Sequence, residues 1–188
     1  MSRTISDRVR FRRISLHIQG SEILDIGAAE GFVHQLLIEA HHDKKIYTLD
    51  VAGNPDFKID LNKSKDLRKK FDTIIAGEIL EHVENPSEFI RFCHHQLKPS
   101  GRLIVTTPNA IGIQYLRNPA WCVDRGDYHS HLHTFTMPML ELLFRKANFL
   151  VEKTEYLNAF WMNRNPLQIL PCFFPRIKTD LLIVGVKK

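Results

Sequence analysis

The stretch from Glu22 to Phe32 constrains the fold of this chain more than any other. It begins with an apolar run interrupted only by Asp25, which is typical of a buried strand in a parallel sheet. Gly27 and Gly31 follow at the spacing of a tight turn, and residues 32–41 carry apolar side chains at helical spacing. Because glycine lets the backbone approach a ligand closely, this strand–turn–helix predicts a turn whose backbone N–H groups face a nucleotide-like ligand.

The glycine spacing separates two kinds of nucleotide-binding turn. The dinucleotide fingerprint G-x-G-x-x-G does not fit, because from Gly27 its later glycines would fall on Ala29 and Phe32. The chain has instead acid-x-Gly-x-x-x-Gly, formed by Asp25, Gly27 and Gly31. This pattern resembles the first motif of class I S-adenosylmethionine-dependent methyltransferases, whose usual form has a further glycine at the position of Ala29. Glycine turns also follow strands in many other α/β proteins, so the remaining motifs must decide whether the resemblance to methyltransferases holds.

Composition bounds the class of protein. With 188 residues, 44% hydrophobic and 25% charged, the chain is expected to form one domain over residues 1–188 and not to be disordered. The net charge of +5 is concentrated in a basic lead-in at residues 1–21. We interpret this lead-in as the solvated face of a helix, with a nucleic-acid-binding arm as the alternative.

The cysteines, the N-terminal residues and the lengths of the apolar runs predict the cellular location. Cys93, Cys122 and Cys172 are widely separated and form no C-x-x-C motif, which indicates reduced thiols. The first residues are polar and basic and lack the apolar core of a secretory signal. No apolar run is long enough to span a bilayer, so a cytoplasmic location is predicted.

Alternating strand and helix patterns predict a parallel α/β sheet. Strands are predicted at residues 23–26, 45–51, 57–61, 71–77, 102–107, 149–157 and 179–187. A helix is predicted to open at Asn85 and Pro86, and another at residues 137–146 to end before a left-handed Asn148. The resemblance implies a Rossmann-like three-layer sandwich with a seven-stranded, mostly parallel sheet whose last strand is antiparallel.

A second motif strengthens the resemblance. Residues 77–86 read Gly-Glu-Ile-Leu-Glu-His-Val-Glu-Asn-Pro, and Leu-Glu-His-Val is characteristic of the branch containing the ubiquinone-biosynthesis O-methyltransferases. Residues 98–109 and 131–136 also resemble the corresponding segments of this family, so the resemblance covers about residues 22–157. It implies S-adenosylmethionine as cofactor and methyl transfer, mainly to oxygen of a small or medium-sized substrate. A methyltransferase-like subunit without catalysis is the alternative from another class.

The resemblance and the strand ends together predict the cofactor site. Asp50 ends the second strand, where a carboxylate can bind both ribose hydroxyls. Asp60 is expected either to meet the adenine amino group or to cap a helix, and Leu61 to face the ring. The complete predicted cofactor-binding set is Asp25, Gly27, Ala28, Gly31, Asp50, Val51, Asp60, Leu61 and Gly77.

The residues after the fourth strand carry the predicted chemistry. His82 and His131 are the catalytic candidates, and His82 serves either as general base or as a residue that packs beside the cofactor. Glu78, Glu81 and His82 would share one face of a helix, and with His131 would form a site for Mg²⁺ or Mn²⁺. This set resembles that of the small-RNA 2′-O-methyltransferases, which keeps RNA open as a substrate, although Glu81 could simply form a salt bridge.

Two long connections are expected to carry function. Residues 109–135 form the predicted substrate loop, with Tyr115, Trp121 and Tyr128 as its aromatic wall or as its packing. The apolar insertion at residues 158–178 contains three prolines, which exclude a long helix. Residues 158–175 within it either complete the core or form a contact for a membrane surface or a second subunit.

Overall fold

A computed structural model describes residues 2–28, 31–63, 66–117, 131–157 and 170–188. In these ranges the strands form one seven-stranded sheet in the order β3-β2-β1-β4-β5-β7-β6. The strands are β1 (Glu22–Ile26), β2 (Lys45–Asp50), β3 (Phe57–Lys58), β4 (Phe71–Gly77), β5 (Leu97–Pro108), β6 (Phe149–Leu157) and β7 (Asp180–Lys187). The described helices are α1 (Ser2–Ser15), α2 (Phe32–Ala40), α3 (Pro86–Gln96), α4 (Ile113–Arg117), α5 (Met137–Lys146) and α6 (Leu170–Phe173).

The pairing confirms the predicted sheet. β1 lies between β2 and β4 and is parallel to both, and Asp25 pairs with Thr48 on one side and with Ile75 on the other. β7 runs antiparallel to both β5 and β6. Because β1, β2, β4 and β5 are parallel, their carboxyl ends meet at one edge of the sheet. Ligands of open α/β sheets bind at this edge.

Helices cover both faces of the sheet, as a three-layer sandwich requires. On one face, Ile14 of α1 and Leu37 of α2 pack with Ile75 and Ile104 of the sheet. On the other face, residues of α3 and α5 pack against Ile74 and its neighbours. The alternation of Ile74 and Ile75 between the two cores follows from the period of two along a strand. In the described ranges, no helix combines the length and the apolar character needed to cross a membrane.

Local helix signals predicted several boundaries correctly. The side chain of Asn85 accepts a hydrogen bond from the N–H of Glu88 at 3.2 Å, and Pro86 opens α3. Asn148 follows α5 with a φ of 64°, so its left-handed conformation is confirmed. These residues act through their own backbone neighbourhood, which is why sequence alone locates them.

Two strand predictions were wrong in length. β3 ends at Lys58 instead of residue 61, because Asp60 accepts a hydrogen bond from the N–H of Asn62 at 3.0 Å and opens the 3₁₀ turn Leu61–Lys63. β5 begins at Leu97, directly after α3, because Leu97 pairs with Phe71 of β4 before the ladder continues at Arg102. Tertiary pairing thus extends β5 through residues that read as a turn.

The solvated interpretation of the basic lead-in was wrong for Arg10 of α1. Arg10 forms ion pairs with Asp7, Glu78 and Asp180 at 3.1–3.2 Å, and its side chain is 16% exposed. Burial disfavours its charge, but the three carboxylates together raise the pKa of the guanidinium above its usual value. Arg13 binds Glu155 of β6. These ion pairs join α1 to the sheet, and they are invisible in the sequence because their partners lie far along the chain.

Candidate functional site

A pocket of about 480 Å³ opens at the carboxyl edge of the sheet. Its volume falls within the range of small-molecule sites. Its walls come from the glycine turn after β1, from α1, from the start of α2 and from the ends of β4 and β5. Its lining residues include Arg10, Asp25, Gly27, His34, Glu78 and Thr106. Predicted residues Ala28, Gly31 and Gly77 line it as well.

Gly27 is required at its position for two reasons. Its φ is 75°, a left-handed conformation that side chains rarely adopt. A Cβ at this residue would also overlap the side chain of Ile79. Gly31 has a φ of −68° and lies at the N-cap of α2, so its role is different. The N–H groups of Gly27 and Gly31 donate to the carbonyls of Leu49 and Ala28, so they hold the turn together.

Asp25 and His34 form a pair across the glycine turn. Nδ1 of His34 lies 2.9 Å from Oδ2 of Asp25, and both side chains line the pocket. Burial raises the pKa of Asp25, and the hydrogen bond to Asp25 raises the pKa of His34. The predicted site contained Asp25 but not His34. The sequence offered no sign of the pair beyond the position of His34 in the first turn of α2.

The ends of β4 and β5 supply polar groups that face the pocket. Glu78 follows Gly77 with a φ of 57°, a strained conformation for a residue with a side chain. Its N–H donates to the carbonyl of Thr106, and its carboxylate binds Arg10. The buried Thr106 hydroxyl has no hydrogen-bond partner within the described part of the chain. Since buried polar groups are normally paired, this hydroxyl is suited to a ligand.

The other predicted cofactor residues lie at the end of β2 or in the segments that follow β2 and β3, and they do not line this pocket. Asp50 ends β2, and its Oδ1 accepts a hydrogen bond from the N–H of Ala52 at 2.9 Å. Val51 is exposed, and Leu61 packs against the core. Asp60 caps the 3₁₀ turn, which was the alternative role predicted for it. The charge of Asp50 acts on Asp25, so the two carboxylates share one electrostatic environment.

The structure brings three of the four predicted metal ligands together. One ligand atom from each of Glu81, His82 and His131 lies within 4.8 Å of the others. The imidazole rings of His82 and His131 meet edge to face, with centroids 4.8 Å apart. The main-chain carbonyl of Glu81 accepts hydrogen bonds from the N–H groups of Leu132 and His133, and these hold the second segment in place.

The structure departs from the metal prediction in two respects. Residues 78–84 form turns and not a helix, so the expected common helical face does not exist. Glu78 lies outside the group, because its carboxylate binds Arg10. The cluster forms because Glu81 and His82 lie in a turn and because this turn contacts the distant segment that contains His131. The spacing at i, i+3 and i+4 predicts neither the turn nor the contact.

Glu81 is the most buried member of the cluster, with 1% of the residue exposed. Burial, and then the charge of Glu78, raise its pKa well above the usual value. Its Oε2 accepts a hydrogen bond from the Thr107 hydroxyl at 2.9 Å, while Oε1 has no hydrogen-bond partner in the described ranges. The cluster therefore offers a carboxylate oxygen and imidazole nitrogens, which suit either a divalent cation or proton transfer.

Several predicted residues fall outside the described ranges, namely Trp121, Tyr128 and residues 158–169. Tyr115 lies on α4. Of the apolar insertion, residues 170–178 are described, and Phe173 and Phe174 are 73% and 60% exposed. The core interpretation is therefore wrong for these two side chains.

Comparisons with known proteins agree with this geometry. A family model described as a methyltransferase domain matches residues 1–154. The chain is 25% identical over 148 residues to a ubiquinone biosynthesis O-methyltransferase of Xanthomonas euvesicatoria pv. vesicatoria (strain 85-10), covering 65% of this chain and 60% of that protein. It is 28% identical over 151 residues to the protein of the same name from Coxiella burnetii (strain Dugway 5J108-111), covering 67% and 63%. The chain thus spans less than two thirds of the length of these relatives.

A solved structure extends the likeness over nearly the whole fold. The S-adenosylmethionine-dependent methyltransferase from Mesorhizobium loti matches with a TM-score of 0.68 at 18% identity, covering 97% of this chain and 98% of that one. At this identity the structural similarity shows the fold alone, whereas the match to the family model shows that the sequences are related. The chain therefore belongs to the methyltransferase-domain family of the class I S-adenosylmethionine-dependent superfamily, on the branch resembling the ubiquinone-biosynthesis O-methyltransferases.

Proposed function

We propose that this protein is an S-adenosylmethionine-dependent methyltransferase that methylates an oxygen atom of a small or medium-sized substrate. The observation that carries the proposal is the pocket at the glycine turn, with Gly27 required by both φ and space. The cofactor supplies an already activated methyl group, so the protein contributes mainly orientation and exclusion of water.

The described residues suggest how the cofactor is held. We assign Asp50, at the end of β2, the role of accepting hydrogen bonds from the ribose hydroxyls. Arg10 and Glu78 bring opposite charges to one wall of the pocket, which suits the carboxylate and ammonium of an amino-acid moiety. The hydroxyl of Thr106 adds a polar contact beside them. Asp60 and Leu61 remain the predicted contacts of the adenine ring.

His82 and His131 are the proposed acid–base groups for the acceptor. They lie side by side beyond β4, and either imidazole can accept the proton of a hydroxyl nucleophile. The neighbouring Glu81 would stabilise the resulting imidazolium. Its Oε1 lies 3.9 Å from Nε2 of His82.

Calorimetry with S-adenosylhomocysteine tests the proposed cofactor site. The unmodified protein should bind it, and Asp50→Ala should weaken binding by at least about tenfold, because two hydrogen bonds to a charged group are lost. Asp43→Ala is the matched control, since Asp43 is an exposed carboxylate that precedes β2. Absence of binding by the unmodified protein would contradict the proposal and favour the non-catalytic subunit.

Metal-dependent RNA 2′-O-methylation is the second candidate, favoured by the grouping of Glu81, His82 and His131. These side chains would hold Mg²⁺ or Mn²⁺, which would orient substrate hydroxyls. Two observations favour a small molecule instead of RNA. Glu78 is engaged by Arg10, and Arg10 and Arg13 of the basic lead-in are used in ion pairs within the protein. Binding of RNA would need other cations.

The exposed phenylalanines Phe173 and Phe174 extend the proposal to a partner. Residues 170–178 also carry Arg176 and Lys178 and no acidic residue. Apolar side chains beside cations suit an anionic lipid surface, where an apolar substrate would also reside. A second copy of the chain is the alternative occupant predicted from the sequence. The cytoplasmic location stays a prediction.

A further inference from the structure

The pair of Asp25 and His34 joins the two elements on either side of the glycine turn. Asp25 is the fourth residue of β1, and His34 the third residue of α2. Their side chains are 7% and 15% exposed, and Nδ1 of His34 lies 2.9 Å from Oδ2 of Asp25. When this nitrogen donates to the carboxylate, the second ring nitrogen is the one that gains or releases a proton.

The surroundings of the pair are rich in carboxylates. The charges of Asp50 from β2 and Asp56 from the loop before β3 act on the pair, and Asp7 and Arg10 from α1 and Glu78 after β4 line the same pocket. Among the residues that line the pocket, the carboxylates therefore outnumber the guanidinium of Arg10. Since His34 can gain or lose a charge near neutral pH, it sets how negative this pocket is.

We propose that His34, positioned by Asp25, makes cofactor binding depend on protonation and favours the cationic cofactor over its neutral product. This inference rests on the proposed function. S-adenosylmethionine carries a sulfonium charge that S-adenosylhomocysteine lacks, so the two ligands respond differently to a charge in the pocket wall. A neutral imidazole leaves the pocket negative and attracts the sulfonium, whereas an imidazolium offsets part of that attraction.

The sign of the effect follows from this difference. As the pH falls, His34 is protonated and the affinity for S-adenosylmethionine should decrease. The affinity for S-adenosylhomocysteine should change much less, because its net charge is zero. The ratio of the two affinities should thus rise on the order of fivefold between about pH 5.5 and 8.5. The direction of the pKa shift of His34, which the hydrogen bond to Asp25 raises, brings the transition toward neutral pH.

Calorimetry of both ligands across this pH range, with two substitutions at one position, tests the inference. His34→Ala removes the donor to the buried Asp25 and should weaken binding of both ligands. His34→Asn retains an N–H donor at nearly the position of Nδ1 but does not titrate. It should restore most of the affinity lost in His34→Ala and make the ratio independent of pH. His42→Asn, at an exposed histidine just after α2, is the matched control and should keep the wild-type profile.

Each outcome separates the two proposals. A wild-type ratio that does not change with pH, or a His34→Asn ratio that changes as in the wild type, would overturn the role of His34 and leave the proposed function intact. A wild-type protein that binds neither ligand at any pH would overturn both. Thermal denaturation of His34→Asn shows whether its fold is retained. A folded variant that binds no better than His34→Ala would also contradict the positioning by Asp25.

Discussion

Arg10 of α1 lies 3.1 Å from Glu78, the residue that follows β4 across the pocket. The same guanidinium reaches Asp7 within α1 and Asp180 at the start of β7. One partly buried cation therefore connects the N-terminal helix, the strand end beside the glycine turn and the last strand. Because α1 forms a wall of the pocket, these ion pairs link the stability of the fold to the shape of the proposed cofactor site.

Removing this cation should destabilise the protein. Arg10→Gln leaves three carboxylates close together without their partner, and we expect the free energy of unfolding to fall by about 2–4 kcal/mol. Urea denaturation measures the change, with Arg12→Gln as control because Arg12 is exposed on the same helix. Equal stability of the two variants would show that the ion pairs contribute nothing net.

Any side chain at Gly27 should destabilise the protein, and a control substitution at Gly53 can separate the cost of the positive φ from the cost of the steric overlap. Gly27→Ala combines a left-handed φ with an overlap on Ile79, so we expect a loss of about 2–4 kcal/mol and of cofactor binding. Gly53 has a similar φ of 71°, but nothing lies within 4 Å of a Cβ there. Gly53→Ala should therefore cost only about 1 kcal/mol. The double variant Gly27→Ala/Ile79→Ala should recover part of the loss, and a failure to do so would contradict the steric explanation.

Stability should fall as the pH rises from acid toward neutral. Burial, and then the charge of Glu78, raise the pKa of Asp180 from 3.8 to about 7. Between these values the folded state binds a proton that the unfolded state has released, so raising the pH removes stability, and above about pH 7 the effect is complete. Glu81, whose pKa is raised by burial, contributes with the same sign. The free energy of unfolding, measured by urea denaturation across this range, should decline by an amount on the order of a few kcal/mol. Asp180→Asn should flatten the decline, and an unchanged slope in that variant would assign it to other groups.

Measurements of metal affinity can distinguish the three-residue cluster seen in the structure from the four-residue set predicted from the sequence, which also contains Glu78. If the cluster binds Mn²⁺, then Glu81→Gln and His131→Asn should each weaken binding by at least about tenfold. Glu78→Gln should have little effect, because that carboxylate binds Arg10 and lies outside the group. Calorimetric titration with Mn²⁺ gives these affinities. Loss of binding in Glu78→Gln alone would support the original four-residue set, and no binding by the wild type would leave His82 and His131 as acid–base groups.

The exposed apolar segment should contact lipid. Phe173→Ser/Phe174→Ser should reduce co-sedimentation with vesicles containing anionic lipid by at least about fivefold, since two large apolar side chains no longer enter the interface. Met139→Ser/Leu142→Ser removes two exposed apolar residues from α5 and should not change it. A wild-type protein that ignores vesicles but forms dimers by light scattering would assign the segment to a second copy of the chain.

Local patterns in the sequence determined much of this protein. The strand at Glu22–Ile26, the glycine turn after it and the capping of α3 by Asn85 each depend on neighbours within a few residues. Such features follow from backbone geometry and the period of the apolar residues, so sequence alone predicts them. The order of motifs then indicated the family and its sheet.

Tertiary structure alone decided which side chains meet. Arg10 and Glu78 are far apart in the chain, as are Glu81 and His131, and they meet because separate elements converge at one edge of the sheet. The same packing directs the carboxylate of Glu78 to Arg10 and places His34 beside Asp25. Periodicity fixes the face on which a residue lies, but a contact between distant segments depends on how those faces pack, and no local pattern records it.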